Sequence, residues 1–314
     1  MTMLSWASVP LFLRALSVEH QLDPFSANGW RYAISALFWL PFLIVARGKG
    51  NLPNALLKAA LIPTAFNILG QTTFALGPAL LEPGFFSFVF RVQIIFVTLG
   101  AYLLFPTERS TLRSPRFWIG IALVVLGSSG LILFKPSTNV TVSSGVGIAV
   151  ALTSGVLFAG YGLSVRKFVS SYSPIVSFGV ICQFTAIGML SVAGIMPSVD
   201  PALVPEGLPP LDFTKPLTSF GPWAWTLLIC SAFIGIAISH VTYYASIRRL
   251  GVSLSMGIIQ LQPIFTAVGS AIIFREQLSI AQWSAGIVGV CGAVLMLSAG
   301  KHKPREAPET QDEH

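Results

Sequence analysis

The stretch "QIIFVTLGAYLLF", residues 93–105, returns 169 positions later as "QPIFTAVGSAIIF", residues 262–274. The offset runs backwards without gaps, setting Val89 against Ile258, Arg91 against Gln260, Phe74 against Tyr243, Thr73 against Thr242 and Gln71 against His240. Forwards, after small insertions, Glu108 meets Glu276 and Gly120 meets Gly286. The repeating unit is therefore about half the chain, far longer than the roughly 20–50-residue period of a solenoid.

Both copies are apolar throughout. Hydrophobic residues make up 54% of the 314 and charged residues 10%, against about 25% charged in soluble domains. Mean hydropathy is +0.75. Apolar runs of roughly 17–25 residues, long enough to cross about 30 Å of hydrocarbon as a helix, recur from end to end. Strands of a membrane barrel alternate over about ten residues and give no such runs. The expected fold is an all-α integral membrane protein with ten transmembrane helices, over 1–16, 26–46, 59–78, 84–105, 117–134, 145–165, 174–195, 223–245, 252–274 and 281–299. Five spans per copy is an odd number, so the second copy enters from the opposite side. This gives two inverted five-helix repeats, 1–135 and 145–300, followed by a polar cytoplasmic tail, 301–314. The first span is short, and the N-terminus is expected to be truncated. The segment 196–222 holds seven of the 21 prolines and is expected to be an extended loop without regular structure.

Net charge is +7, but the basic residues fall on alternate loops. Arg47, Lys49, Lys58, Arg109, Arg113, Arg116, Arg166, Lys167, Arg248, Arg249, Lys301, Lys303 and Arg305 collect on one side. Arg14, Lys135, Lys215 and Arg275 fall on the other. The positive-inside rule then places both termini in the cytoplasm of a bacterial-type inner membrane. The basicity is topological and implies no nucleic acid; the expected partners are the bilayer and a small-molecule substrate. Cys182, Cys230 and Cys291 sit among apolar residues without paired spacing, and the four histidines are scattered, so no disulfide framework, metal site or cofactor is expected.

Polar side chains inside the spans are few. On translocon-insertion scales an Arg at the centre of a spanning helix costs about 2.5–3.5 kcal/mol, so such residues face a bundle interior or an aqueous cavity. Ser87, Arg91 and Thr98 share one face of the fourth span, answered by Ser253, Met256 and Gln260 on the ninth. Arg91 and Gln260 are expected to face the cavity, the alternative for Arg91 being a structural pairing with Glu82 or backbone carbonyls. Gln93 lies about 200° round the helix from Arg91 and goes with Gly100, as Gln262 goes with Gly269. These two glutamines are expected to hydrogen-bond between helices where glycine permits close approach.

Asn67, Gln71 and Phe74 form a stripe on the third span; His240, Tyr243 and Tyr244 answer it on the eighth. Aromatic walls with a few placed polar groups suit a small-molecule pocket, and equally a helix interface. Arg31 stands about five residues into the second span. It either snorkels to the headgroups or joins Arg91 in an electropositive cavity that favours a carboxylate or phosphate. No span has a clear Asp or Glu near its centre, which leaves Glu82 and His240 as candidates for proton coupling, with facilitated diffusion or exchange still open. Gly120, Gly127 and Gly130 on the fifth span, and Gly286, Gly289 and Gly292 on the tenth, form small-residue faces suited to tight packing or a homodimer contact.

The pattern resembles the drug/metabolite transporter superfamily, specifically its EamA-like group of two five-helix repeats. The likeness rests on Arg31 in "NGWRYAISALFWLPF", on "LGVSLSMG", and on "QPIFTAVGSAIIFREQLSIAQWSAGIVGVCGAVLML" with Pro263, Glu276 and Gly286. The first copy of that last segment carries Glu108 and Gly120. Pro263, Glu108 and Glu276 are expected to be helix-contact residues. The chain departs from the family's pattern at Ile94, where proline is usual, at Pro106 and Thr107, and at Arg91. The resemblance implies secondary transport of a small metabolite, with no catalysis.

Rival readings are a non-transporting scaffold or receptor and an intramembrane hydrolase built on "GVSL", 251–254, with His240. No GxxxxGK[ST] phosphate loop occurs, so ATP-driven pumping by this chain is not expected.

Overall fold

The computed structural model describes residues 1–80, 89–90, 93–134, 145–200, 208–274 and 279–300, which are helical with no strand among them. In chain order the helices are α1 (Thr2–Val18), α2 (Pro24–Gly48), α3 (Asn54–Ala59), α4 (Leu61–Leu80), α5 (Gln93–Leu104), α6 (Arg109–Leu112), α7 (Pro115–Leu133) and α8 (Gly145–Ser164). They continue as α9 (Pro174–Ile195), α10 (Lys215–Ser219), α11 (Pro222–Ala232), α12 (Ser239–Leu250), α13 (Val252–Ile259), α14 (Gln262–Phe274) and α15 (Ile280–Gly300). Among the described residues, six continuous helical stretches are long and apolar enough to cross a membrane: 24–48, 54–76, 145–169, 174–198, 222–250 and 280–299. Four shorter apolar helices accompany them, at 2–18, 93–104, 115–127 and 252–266. Leu37, Ile44, Leu126, Ile272 and Ile287 are exposed, as lipid-facing residues must be. Helices satisfy their own backbone groups, which is what such a surface requires in hydrocarbon. The chain is a multi-pass membrane protein.

Local chemistry sets the ends. Asp23 accepts the amides of Phe25 and Ser26 at 3.0 and 2.9 Å, and Pro24 follows at the first helical position, so α2 begins there. Pro174 and Pro222 likewise stand at the first position of α9 and α11, there without a side-chain cap. The expected ninth span, 252–274, is not one helix. Pro263 has no amide hydrogen and its ring crowds the carbonyl of Ile259, so α13 stops at Ile259. The chain crosses the break on tight bonds, Gln260 N–H to Gly257 O at 3.1 Å and Leu261 N–H to Ile258 O at 3.1 Å. Among the described residues two π-helical segments also interrupt regular winding, Val165–Val169 after α8 and Phe233–Ile238 before α12.

The main interfaces join the first part of the chain to the second. α2 packs on α9, α4 on α8, α7 on α15, α5 on α8 and α1 on both α14 and the α11–α12 region. The expected glycine faces meet each other inside one chain. A Cβ at Gly120 would lie 2.7 Å from the Gly292 carbonyl oxygen, and one at Gly127 would lie 2.6 Å from the Gly289 Cα, so α7 and α15 touch backbone to backbone.

The described residues of the 196–222 segment, 196–200 and 208–222, are more ordered than expected. They hold a 3-10 turn at Met196–Ser198 and the short helix α10. Phe213 stacks on Trp30 with ring centroids 5.3 Å apart, and its carbonyl accepts the Trp30 indole N–H at 2.9 Å. Proline prevents long helices but does not prevent a loop from docking through aromatic side chains.

Candidate functional site

Near the middle of the bundle α1, α2, α4, α8, α9 and α12 bring together a buried set of aromatic and polar side chains. His240 lies at its centre, 3% exposed. Phe178 stacks on the imidazole at 4.8 Å and Trp6 meets it edge-on at 5.2 Å. The π-helical segment just before α12 turns the ring so that Nδ1 pairs with Ile236 O at 3.1 Å and the Ser239 hydroxyl at 3.3 Å. Trp6 in turn donates its indole N–H to Ser239 Oγ at 2.8 Å. One turn on, Tyr243 is buried and gives its hydroxyl to Met256 Sδ at 2.9 Å. Tyr161 and Tyr244 share a hydrogen bond of 2.7 Å.

Tyr32 is the polar hub. Its hydroxyl accepts from Asn67 at 3.0 Å and Gln71 at 3.2 Å, and Asn67 also donates to Thr185 at 3.2 Å. The neighbouring residue, Arg31, does not reach the headgroups. It is 4% exposed, turned inward, and donates through Nη1 to Asn28 Oδ1 at 2.9 Å. Gly235 in the π-helical segment makes its room, since a Cβ there would lie 2.8 Å from Arg31 Nη2. Nε is buried without a hydrogen-bond partner, and among the described residues no carboxylate pairs with this guanidinium. A buried cation without a counter-charge carries a large desolvation penalty, which an anionic guest would offset.

The other expected residues divide. Gln71, His240, Tyr243 and Arg31 line this one region, each placed by the contacts given above. Gln260 is 1% exposed and sits at the helix break beyond Met256. Arg91 and Glu276 lie outside the described residues. Gln262 donates to Trp6 O at 3.0 Å and so ties α14 to α1. Gln93 is buried against Gly155, where a Cβ would lie 3.5 Å from its own. Pro263 ends α13, and Glu108 reaches the start of that helix. Phe74 leaves the pocket stripe and packs with Phe90 and Phe158.

Sequence reasoning missed Trp6, Asn28, Tyr32, Tyr161 and Phe178. Asn28, Arg31 and Ser35 follow helical spacing on α2, a polar stripe that could have been found. The aromatic partners on α1, α8 and α9 carry no such signal, since single Trp, Tyr and Phe residues are ordinary in spans. A groove of about 380 Å³ between α7 and α15 is lined by apolar and small residues such as Leu126, Gly127, Gly130 and Phe134, a surface suited to lipid.

Three comparisons bear on this arrangement. A family model described as the EamA-like transporter family matches residues 1–133 and 145–298. An uncharacterized transporter of Methanothermobacter thermautotrophicus is 25% identical over 249 residues, 79% of this chain. The alignment spans 64% of that relative's length. A solved crystal structure superimposes with a TM-score of 0.73 at 18% identity, covering 96% of this chain and 95% of its own, a likeness of fold.

Proposed function

Because the chain belongs to the EamA-like transporter family, we propose that it is a secondary carrier, exporting an amino acid-like or anionic metabolite by alternating access. The observation that carries the reading is Arg31. It is a buried guanidinium with no carboxylate partner among the described residues, beside an aromatic and hydrogen-bonding wall assembled from both parts of the chain. Arg91 lies outside the described residues; the sequence expectation that it faces the cavity would supply a second positive charge. Gln71, His240, Tyr243 and Gln260 supply neutral donors, acceptors and ring faces for the rest of the solute.

Packing supports two related halves. We take the four shorter apolar helices together with the six long stretches, among the described residues, as the ten spans of this reading. Exchange of the halves sends the α2–α9 and α7–α15 interfaces onto themselves. The same exchange sends α4–α8 onto α1 with the α11–α12 region, and α1–α14 onto α8–α5. Contacts that come in such pairs favour a pseudo-two-fold arrangement, and five helices per half makes it an inverted one. A broken helix beside the candidate site, here at Gln260–Leu261, is a further feature of such carriers. The charge bias of the loops puts both termini in the cytoplasm of an inner membrane.

The hydrolase alternative is disfavoured by Ser253, whose hydroxyl is donated to Glu108 at 2.7 Å and not to an imidazole. The test is reconstitution into liposomes, with labelled amino acids, organic acids and sugar phosphates offered at several pH values and no ATP. Counterflow of one solute class supports the carrier. A panel that stays at the level of empty liposomes at every pH counts against it.

A further inference from the structure

Glu108 lies at a joint between the two halves. It ends the 3-10 turn Pro106–Glu108 after α5, in the first half of the chain. Among the described residues its carboxylate partners all lie in the second half. Oε1 accepts the amide of Val252 at 3.0 Å; Oε2 accepts the amide of Ser253 at 3.0 Å and the Ser253 hydroxyl at 2.7 Å. Arg166 Nε stands 3.6 Å from Oε1. The carboxylate thus covers two orphan donors of α13 and the positive end of its dipole. Gly251 lets it come so close, for its φ is +86° and a Cβ there would lie 2.7 Å from Glu108 Cδ.

The helix held in this way leads to the candidate site. One turn into α13, Met256 receives the Tyr243 hydroxyl, and the helix ends at Ile259, just before Gln260. The contact is also one that can be undone. Arg166 is 24% exposed against 7% for Glu108, so on parting both charges can be taken up by water at the end of the bundle. A charge-assisted grip this dense, between two bodies that must separate for a solute to pass, is a natural point of switching.

We propose that Glu108 is a cross-half latch. Its grip on the start of α13 and on Arg166 closes the passage at the Arg166 end of the molecule, and its release opens the site to that side. The inference rests on the carrier reading and goes beyond it by naming the contact that switches.

The test needs no cargo. In a protein whose Cys182, Cys230 and Cys291 are replaced by Ala, a reporter cysteine is placed at Met256 and, in a separate protein, a reference cysteine at exposed Arg113. A membrane-impermeant maleimide is offered on either side of sealed proteoliposomes. The side that labels the Arg113→Cys reference identifies the latch face. From that side, Glu108→Gln is expected to speed labelling of the reporter about tenfold, equivalent to ~1.4 kcal/mol. Ser253→Ala, which removes one bond, is expected to give about threefold. Labelling from the other side does not rise.

An unchanged rate in folded Glu108→Gln overturns the proposal, as does a drop in Tm with no gain in labelling, which marks a static brace. If Glu108→Gln does not fold, Ser253→Ala and Arg166→Gln carry the same two outcomes. A protein that gates in this assay yet moves no solute contradicts the carrier reading and leaves the latch standing.

Discussion

At the scale of single residues, the arrangement around Tyr32 shows how few groups keep the centre of the bundle polar. Its hydroxyl serves two amide donors, and Tyr32→Phe leaves Asn67 and Gln71 short of a partner in a low-dielectric interior. The expected loss is about 1 kcal/mol, read as a lower Tm in detergent. Gly251 is constrained differently. Its φ of +86° and the carboxylate 2.7 Å from a would-be Cβ leave no place for a side chain. Gly251→Ala is expected to destabilise by more than about 1 kcal/mol, measured by thermal unfolding beside the parent. Arg31 marks the limit of reading at this scale. Its distance from the end of the helix allowed two orientations, and the choice is made by the π-helical segment, whose Gly235 closes over it from some two hundred positions away. His240 and Gln71 were legible as a repeat pair. Their companions Trp6 and Phe178 were not, because aromatic residues in spans have many reasons to be there.

At the scale of elements, run length located the helices, while their interruptions were not read from it, the ninth span having been expected as one helix. Pro263 was visible, and its consequence, a break at Gln260–Leu261, follows from the missing amide hydrogen. Pro263→Ala is expected to let α13 and α14 join. Slower amide exchange at residues 259–262 and transport reduced about tenfold would be the signs; unchanged exchange would count against the break as a working part. The π-helical segments have no composition of their own, since one extra residue per turn is imposed by neighbours. The segment at Phe233–Ile238 matters because it aims His240 and hosts Gly235 against Arg31. Between α7 and α15 the contact is backbone to backbone, so Gly127→Leu must force the helices apart. Loss of folded protein by size-exclusion chromatography is the expected outcome, while the same change at exposed Gly48, with nothing within 4 Å, is tolerated.

For the whole molecule, membrane class and helix order were open to inspection because about 30 Å of hydrocarbon fixes the length of an apolar run. Which helices touch was not, since lipid-facing and bundle-facing surfaces are alike in composition when tails are as apolar as leucine. The pairing of α2 with α9 and α4 with α8 assembles the polar centre from both halves, so motion of one half against the other would change access to it.

The most direct test of the buried-cation account compares wild-type protein with Arg31→Gln in liposomes, measuring initial uptake of matched anionic and uncharged solutes. The expected result is a loss of at least about tenfold for anionic solutes, equivalent to ~1.4 kcal/mol, with uncharged solutes far less affected. Equal rates for anionic solutes in the two proteins, with Arg31→Gln folded and inserted, would contradict it.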